Sequence, residues 1–238
     1  MSIPRFFVPY PGTAHEGVQV PLGAAQARHL WVLRLPQGSA LELMLPSGPW
    51  KADLSDTTKE HAVARLISPL QEDREPPVPI AAYIPVTAQL SLLDDLLPPL
   101  VELGATLIQP VVFRRSEYDA DKTAARFERW QRILHGACEQ SHRSRVPAFA
   151  PAIGFEQLLA DPTPQRWVAH EVPTAQGNPS LARNPVAFTS GPEGGLTDGE
   201  FTALGAAGWL PVYLGGSILR AITCPVAMLG AIRFLLPR

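Results

Sequence analysis

Ser190-Gly191-Pro192-Glu193-Gly194-Gly195 and Leu214-Gly215-Gly216-Ser217-Ile218-Leu219-Arg220 are the two stretches whose reading decides the fold of this 238-residue chain. Each follows a short apolar run, Pro185-Val186-Ala187-Phe188-Thr189 in the first case and Leu210-Pro211-Val212-Tyr213 in the second. Each also runs into a helix with a readable start. Glycine turns at the ends of neighbouring strands present backbone N–H and C=O groups to one crevice, which is how an open α/β sheet holds a small nucleotide-like ligand.

Working outward, the chain from Pro79 alternates strands with helices. The pattern predicts strands over 80–86, 106–112, 166–170, 186–189 and 212–214, and helices over 92–103 and 155–159. Asp121 is expected to cap one long amphipathic helix to about Ser141, with Phe127, Trp130, Ile133, Leu134 and Ala137 on one stripe. Thr197-Asp198-Gly199-Glu200 is a capping box, and Thr223 is expected to cap the last helix with Pro225 in its first turn. Such alternation implies an α/β fold with a mostly parallel sheet covered by helices. Pro98 and Pro99 stand inside the first predicted helix, where each proline costs about 3 kcal/mol, so a kink or a split at Leu97 is expected.

Residues 1–70 have a different texture. Short strands separated by Pro36-Gln37-Gly38 and Pro46-Ser47-Gly48, with one helix over 24–33, suggest a small β-barrel or sandwich. The charged, proline-rich stretch 71–78 is the expected linker, which leaves 79–238 as the second domain.

Bulk properties narrow the class. The chain is 46% apolar with a formal charge of −2, and no apolar run approaches the ~20 residues of a membrane span. The N-terminal residues lack the apolar core of a secretory signal. Cys138 and Cys224 are too few and too isolated for a disulfide framework, and no Cys/His spacing suggests a metal. The cytoplasm is the expected location. The only lysines are Lys51, Lys59 and Lys122; the other cations are arginines, whose planar fork suits phosphate and stacking on bases. The glycine loops are neither a P-loop nor a dinucleotide fingerprint, because no Gly-Lys-Ser/Thr and no GxGxxG spacing is present.

Gly191-Pro192-Glu193-Gly194-Gly195, Leu214 to Ala221 with Thr223, Glu102-Leu103-Gly104, and Glu139-Gln140-Ser141-His142-Arg143 occur together with Arg28-His29-Leu30 and Val32-Leu33-Arg34. In this order and spacing the chain resembles the RsmE family of ribosomal RNA methyltransferases, within the SPOUT superfamily. The resemblance implies a PUA-like RNA-binding β-barrel at the N-terminus and a C-terminal domain threaded into a trefoil knot. It implies a homodimer that binds S-adenosylmethionine in the knot and methylates N3 of one uridine in 16S rRNA, within the small ribosomal subunit.

The residues are compatible with that chemistry. Gly191, Gly195 and Gly215 allow close approach of the backbone, Leu214, Ile218 and Leu219 wall an adenine slot, and Thr189, Ser217 and Thr223 offer hydroxyls. Arg220 is the expected cation for the uracil anion, and Glu193 the nearest carboxylate to act as base. Expected RNA contacts are Arg28, His29, Arg34, Arg115 and Arg143. Two features depart from the family: Ile222 stands where a glutamate is usual, and Pro98-Pro99 replace a lysine-bearing helix. They keep open a catalytically weakened RNA-binding or ribosome-assembly protein of the same fold. Another SPOUT enzyme, acting on tRNA or on a ribose 2′-hydroxyl, is the third reading.

Overall fold

Side chains alternate between the two faces of a strand; β5 shows that alternation in its burial, whereas β6 and β11 are buried on both faces. The computed structural model describes residues 3–71, 74–173 and 177–236. The expected linker is therefore described except for Glu72 and Asp73, which lie outside the described residues. The chain divides into two compact units.

The first unit comprises the residues up to Arg74 together with Cys138–Arg145. Its sheet contains β1 (Arg5–Phe7), β2 (Gln19–Leu22), β3 (Ala40–Leu45), β4 (Gly48–Thr57) and β5 (Ala62–Pro69), with helix α1 (Ala24–Leu33). Strand order is β1-β3-β4-β5-β2. The β1–β3 pair is parallel and the other pairs antiparallel. Ala62, Ala64 and Leu66 alternate inward along β5 and join Leu41, Leu43 and Leu54 with Ala27 and Leu30 of α1 in one core. β1 is absent from the sequence-based expectation, since three residues after a proline carry no periodicity. What holds it is charge as well as backbone: Arg5, 2% exposed, pairs with Glu42 at 2.7 Å. A buried pair of this kind survives only when its remaining donors find partners, and Arg5 also donates to the carbonyl of His142.

Residues Cys138–Arg145 thus join this unit through specific bonds. The His142 Nδ1 lies 3.3 Å from the Glu42 carboxylate, and Glu139 accepts from the Phe7 N–H at 3.4 Å. Burial pushes the Glu139 carboxyl above its ordinary pKa, the Phe7 N–H acting in the opposite direction.

The second unit holds β6 (Ile80–Pro85), α2 (Ser91–Glu102), β7 (Leu107–Val112), α3 (Ala120–Ala124), α4 (Phe127–Ser141, whose last turn belongs to the first unit), β8 (Ala148–Phe149) and β9 (Ile153–Gly154). It continues with α5 (Phe155–Leu159), β10 (Gln165–His170), β11 (Val186–Thr189), α6 (Asp198–Ala206), β12 (Leu210–Tyr213) and α7 (Thr223–Leu235). The order is β12-β10-β11-β6-β7-β8, with β9 also on β7, and the pairings among the described residues are parallel. Tyr83, Val111, Val168 and Ala187 meet Leu158 of α5, Leu204 of α6 and Trp209 on one face. On the opposite side α7 packs on α2, β6 and β11. The connection after β6 leads to β7 on one side, and that after β11 leads past β10 to β12 on the other. Adjacent β6 and β11 are therefore a switch point, where the strand ends open a crevice.

Three local expectations need correction. α2 is not split at Leu97: it runs unbroken through Pro98 and Pro99. Two missing N–H groups at about 3 kcal/mol each are offset by burial of Leu93, Leu96, Leu97, Leu100 and Val101, each contributing about 1.5–3 kcal/mol. The helix expected from Asp121 is two helices, and Asp119, not Asp121, caps the first by accepting from the Lys122 N–H at 3.0 Å. Thr223 does not cap α7: the cap position is Ile222, which has no side-chain acceptor, and the Arg220 carbonyl takes the N–H groups of Thr223 and Cys224 at 2.9 Å each.

Asp94 of α2 anchors α4. It accepts from the Trp130 indole N–H and from Arg129, both at 2.9 Å, and lies 3.5 Å from Arg126. Asp94→Ala leaves the buried indole donor unsatisfied, which costs about 1–3 kcal/mol. Urea denaturation is expected to show that loss, and an unchanged midpoint would contradict it.

Candidate functional site

Both glycine loops meet at one cavity of about 770 Å³ at the ends of β10, β11 and β12. The first loop leaves β11 through Ser190 and turns so tightly that a Cβ on Gly191 would lie 2.8 Å from the Leu196 nitrogen and 3.0 Å from the Gly195 carbonyl carbon. No side chain fits there. Gly195 adopts φ +71°, and its N–H closes the turn on the Pro192 carbonyl at 2.8 Å. Three contacts, with the segments just after β6 and β7, then brace the loop. Glu193 accepts from the Ala88 N–H at 3.1 Å with both oxygens. The Arg115 guanidinium donates to the Gly194 carbonyl at 2.6 Å.

Glu200 supplies the third brace. This buried carboxylate closes the capping box by accepting from the Thr197 N–H at 2.8 Å and hydroxyl at 2.9 Å, and it also takes the Arg114 N–H at 2.7 Å. Burial pushes its pKa up, but the Arg114 and Thr197 donors, with the Arg115 charge, outweigh burial and hold it below the ordinary carboxylate value.

The second loop is open. Gly215 takes φ +123°, Ser217 and Arg220 are exposed, and Ile218 is 78% exposed. Among the described residues no group pairs with the Arg220 guanidinium. Leu214, Gly215, Ser217, Ile218, Leu219 and Arg220 all line the cavity, as do Gly191, Glu193 and Gly195. Thr189 and Thr223 do not: Thr189 lies wholly buried beneath the loop, and Thr223 stands exposed on the first turn of α7.

The wall includes Ile222, singled out in the sequence, and residues that sequence reasoning did not assign to the site: His170 and Glu171 at the end of β10, Asp198 and Phe201 of α6, and Cys224. The His170 ring stacks on Phe201 with centroids 4.1 Å apart. β10 was predicted as a strand, so its carboxyl end was a findable signal. Burial pushes the Cys224 thiol up to about 11, which leaves it protonated at neutral pH and a weak nucleophile. The buried Ser190 hydroxyl at this wall hydrogen-bonds the Cys224 thiol and acts against that rise.

The expected RNA contacts separate into two groups. Arg28, His29 and Arg34 are exposed on or just after α1, with His29 edge-on to Phe6 at 5.8 Å. Arg115 is exposed, with its guanidinium donating to carbonyls of the glycine loop, whereas Arg143, at 3% exposure, is buried and does not meet the expectation of a surface contact. Among the described residues no cluster of His, Cys, Asp or Glu is placed to hold a metal ion, and no helix is long and apolar enough to cross a membrane.

The RNA methyltransferase domain family matches residues 74–233. Ribosomal RNA small subunit methyltransferase E of Synechocystis sp. is 34% identical over 227 residues, covering 91% of this chain and 73% of that protein. The protein of the same name from Bacillus subtilis is 30% identical, covering 85% of this chain and 84% of its own. The solved structure of the Neisseria gonorrhoeae ribosomal RNA small subunit methyltransferase E, bound to S-adenosylmethionine, superposes with TM-score 0.84 at 33% identity, with 98% of each chain covered. A Legionella pneumophila structure in complex with the bound cofactor SAM gives TM-score 0.85 at 25% identity, again with 98% of each chain covered.

Because the native Glu200 pKa is depressed, its stabilisation is fully present above the ordinary carboxylate pKa and is lost as pH falls through the lower native value. The stability difference between wild type and Glu200→Gln is therefore expected to be largest near neutrality and to shrink below about pH 4. Denaturation midpoints across that range check it; a pH-independent difference would contradict it.

Proposed function

The chain belongs to the ribosomal RNA small subunit methyltransferase E family, and from that premise we infer that it moves a methyl group from S-adenosylmethionine to N3 of one uridine in 16S rRNA. The observation that carries this reading is the shared cavity of the two glycine loops, with the unpaired Arg220 on its wall.

The residues present fit the cofactor. It has no phosphates, and no lysine lines the cavity. Backbone groups of the loops around Gly191, Gly195 and Gly215 would hold its polar edges. Leu214, Ile218 and Leu219 would flank its adenine, and the Ser190 hydroxyl, beside the Cys224 thiol, also lines the cavity. Thr189, Ser217 and Thr223 are the weaker candidates, since only Ser217 lines the cavity. When bound, the cofactor supplies an electrophilic methyl on a sulfonium, and transfer is an in-line displacement governed by alignment.

Uridine N3 carries a proton at neutral pH, so the chain must assist its loss. Arg220 would stabilise the negative charge that develops over N3 and the uracil oxygens. Glu193 is the proposed base, its carboxylate oriented by the Ala88 N–H. Glu171 and Asp198 are further carboxylates on the same wall.

Arg28, His29 and Arg34 are the proposed RNA contacts of a PUA-like N-terminal domain. A trefoil knot at the C-terminus is supported by the course of the chain, which leaves edge strand β12 and returns as α7 onto β6 and β11. A homodimer is supported by the exposure of Ile218 at 78%, Phe234 at 89% and Leu235 at 50%. Cys138 and Cys224, neither of them in a disulfide, suit a reducing cytoplasm. A second reading, a binding protein with weakened catalysis, rests on Ile222, which places an alkyl group on the wall where the family has a carboxylate.

Arg220→Ala is expected to abolish methyl transfer to 30S subunits while calorimetry still detects S-adenosylmethionine binding; full activity would overturn the assignment of Arg220. Gly191→Ala forces a Cβ against loop backbone at 2.8 Å and is expected to weaken cofactor binding by at least about tenfold, the equivalent of about 1.4 kcal/mol. Wild-type affinity in that variant would show that the loop shape does not set the site.

A further inference from the structure

Helix α1 ends with Leu35 packed on the core that contains Leu30 and with an arginine at the position where glycine is usual. The Leu35 N–H bonds to the Leu30 carbonyl at 3.5 Å and the Arg34 N–H to the Trp31 carbonyl at 3.1 Å, the paired bonds of a Schellman terminus. The residue at the left-handed position of that motif is normally glycine, because a Cβ there is crowded. Here it is Arg34, at φ 51° and ψ 40°. Strain of this kind gathers at ligand sites.

The side chains around Arg34 give the strain a purpose. Leu30, Trp31, Arg34, Leu35 and Thr57 line a second cavity of about 420 Å³, contained within the first unit. Trp31 is 51% exposed, and neighbouring Val32 is 72% exposed. An indole left half in water beside an arginine fork is a stacking platform with a phosphate ligand next to it. Charge agrees: α1 contains no Asp or Glu, and Arg28 lies one turn before Trp31 and Val32.

We propose that the Trp31–Arg34 cavity is a binding site for one unpaired nucleobase of single-stranded RNA, the base stacking on Trp31 and the adjoining phosphate taken by Arg34. This rests on the reading of the chain as an rRNA methyltransferase but assigns a site remote in sequence from the methyl-transfer loops. Trp31 supplies the sequence-tolerant term and Arg34 the salt-dependent one.

The test uses the full chain and two fluorescent probes: a uridine decamer, and a decamer of the same backbone lacking bases. Trp31→Ala is expected to weaken the uridine decamer about tenfold and to leave the baseless decamer unchanged, and Trp31→Phe to restore most of the loss. Arg34→Gly relieves the left-handed strain, so it is expected to raise the melting temperature by about 2–4 °C while weakening the uridine decamer and flattening its salt dependence by about one unit of slope. A merely structural Arg34 would leave RNA binding unchanged in that variant. Equal affinity of wild type and Trp31→Ala for the uridine decamer overturns the proposal, as does Trp31-dependent binding to phosphatidylserine vesicles without RNA binding. Methylation of 30S subunits by wild type is scored in parallel. Activity without the Trp31 effect removes this site alone, and the Trp31 effect without activity removes the methyltransferase reading and leaves the RNA site standing.

Discussion

The Glu200 carboxylate receives the N–H of Arg114, at the end of β7, and both the N–H and the hydroxyl of Thr197, at the start of α6. One buried group therefore fixes the exit of the glycine loop relative to the sheet. The entry is fixed by β11, and the middle by Ala88 and Arg115 acting on Glu193 and Gly194. A loop with glycines at 191, 194 and 195 has many conformations open to it in isolation. These braces select the one that leaves its outer face free to line the cavity.

Much of this was legible before any coordinates. The capping box Thr197–Glu200, the strand over 186–189 and the helices over 24–33 and 155–159 rest on local signals, turn residues and periodicity, and those signals operate within a few residues of themselves. That the glycine loops would meet at one crevice was legible because a parallel sheet presents its carboxyl ends together. What escaped was non-local. β1 exists because Arg5 finds Glu42 and His142, a bond across 137 residues that no spacing announces. Asp119 rather than Asp121 caps α3 because the chain turns two residues earlier than the apolar stripe implies. α2 survives two prolines because tertiary burial outweighs intrinsic propensity.

The same distinction re-sorts the arginines. As a residue type each is suited to RNA, and the sequence offers no way to tell a bonded guanidinium from a free one. Arg115 becomes a strut of the glycine loop, Arg129 an anchor on Asp94, and Arg143 a buried group. The motif from Glu139 to Arg143 fastens to the first unit through Phe7, Arg5 and Glu42. The cations left in solvent at the proposed sites are Arg220 at the cavity and Arg28 and Arg34 at α1.

The central claim is methyl transfer to uridine N3 in small-subunit rRNA. The most direct measurement incubates unmodified 30S subunits with the protein and S-adenosylmethionine, then digests the 16S rRNA and maps its nucleosides by mass spectrometry. The account predicts a single new 3-methyluridine, absent when the protein is omitted. Cofactor binding with an unchanged nucleoside profile, or a new methyl on a ribose, would contradict it.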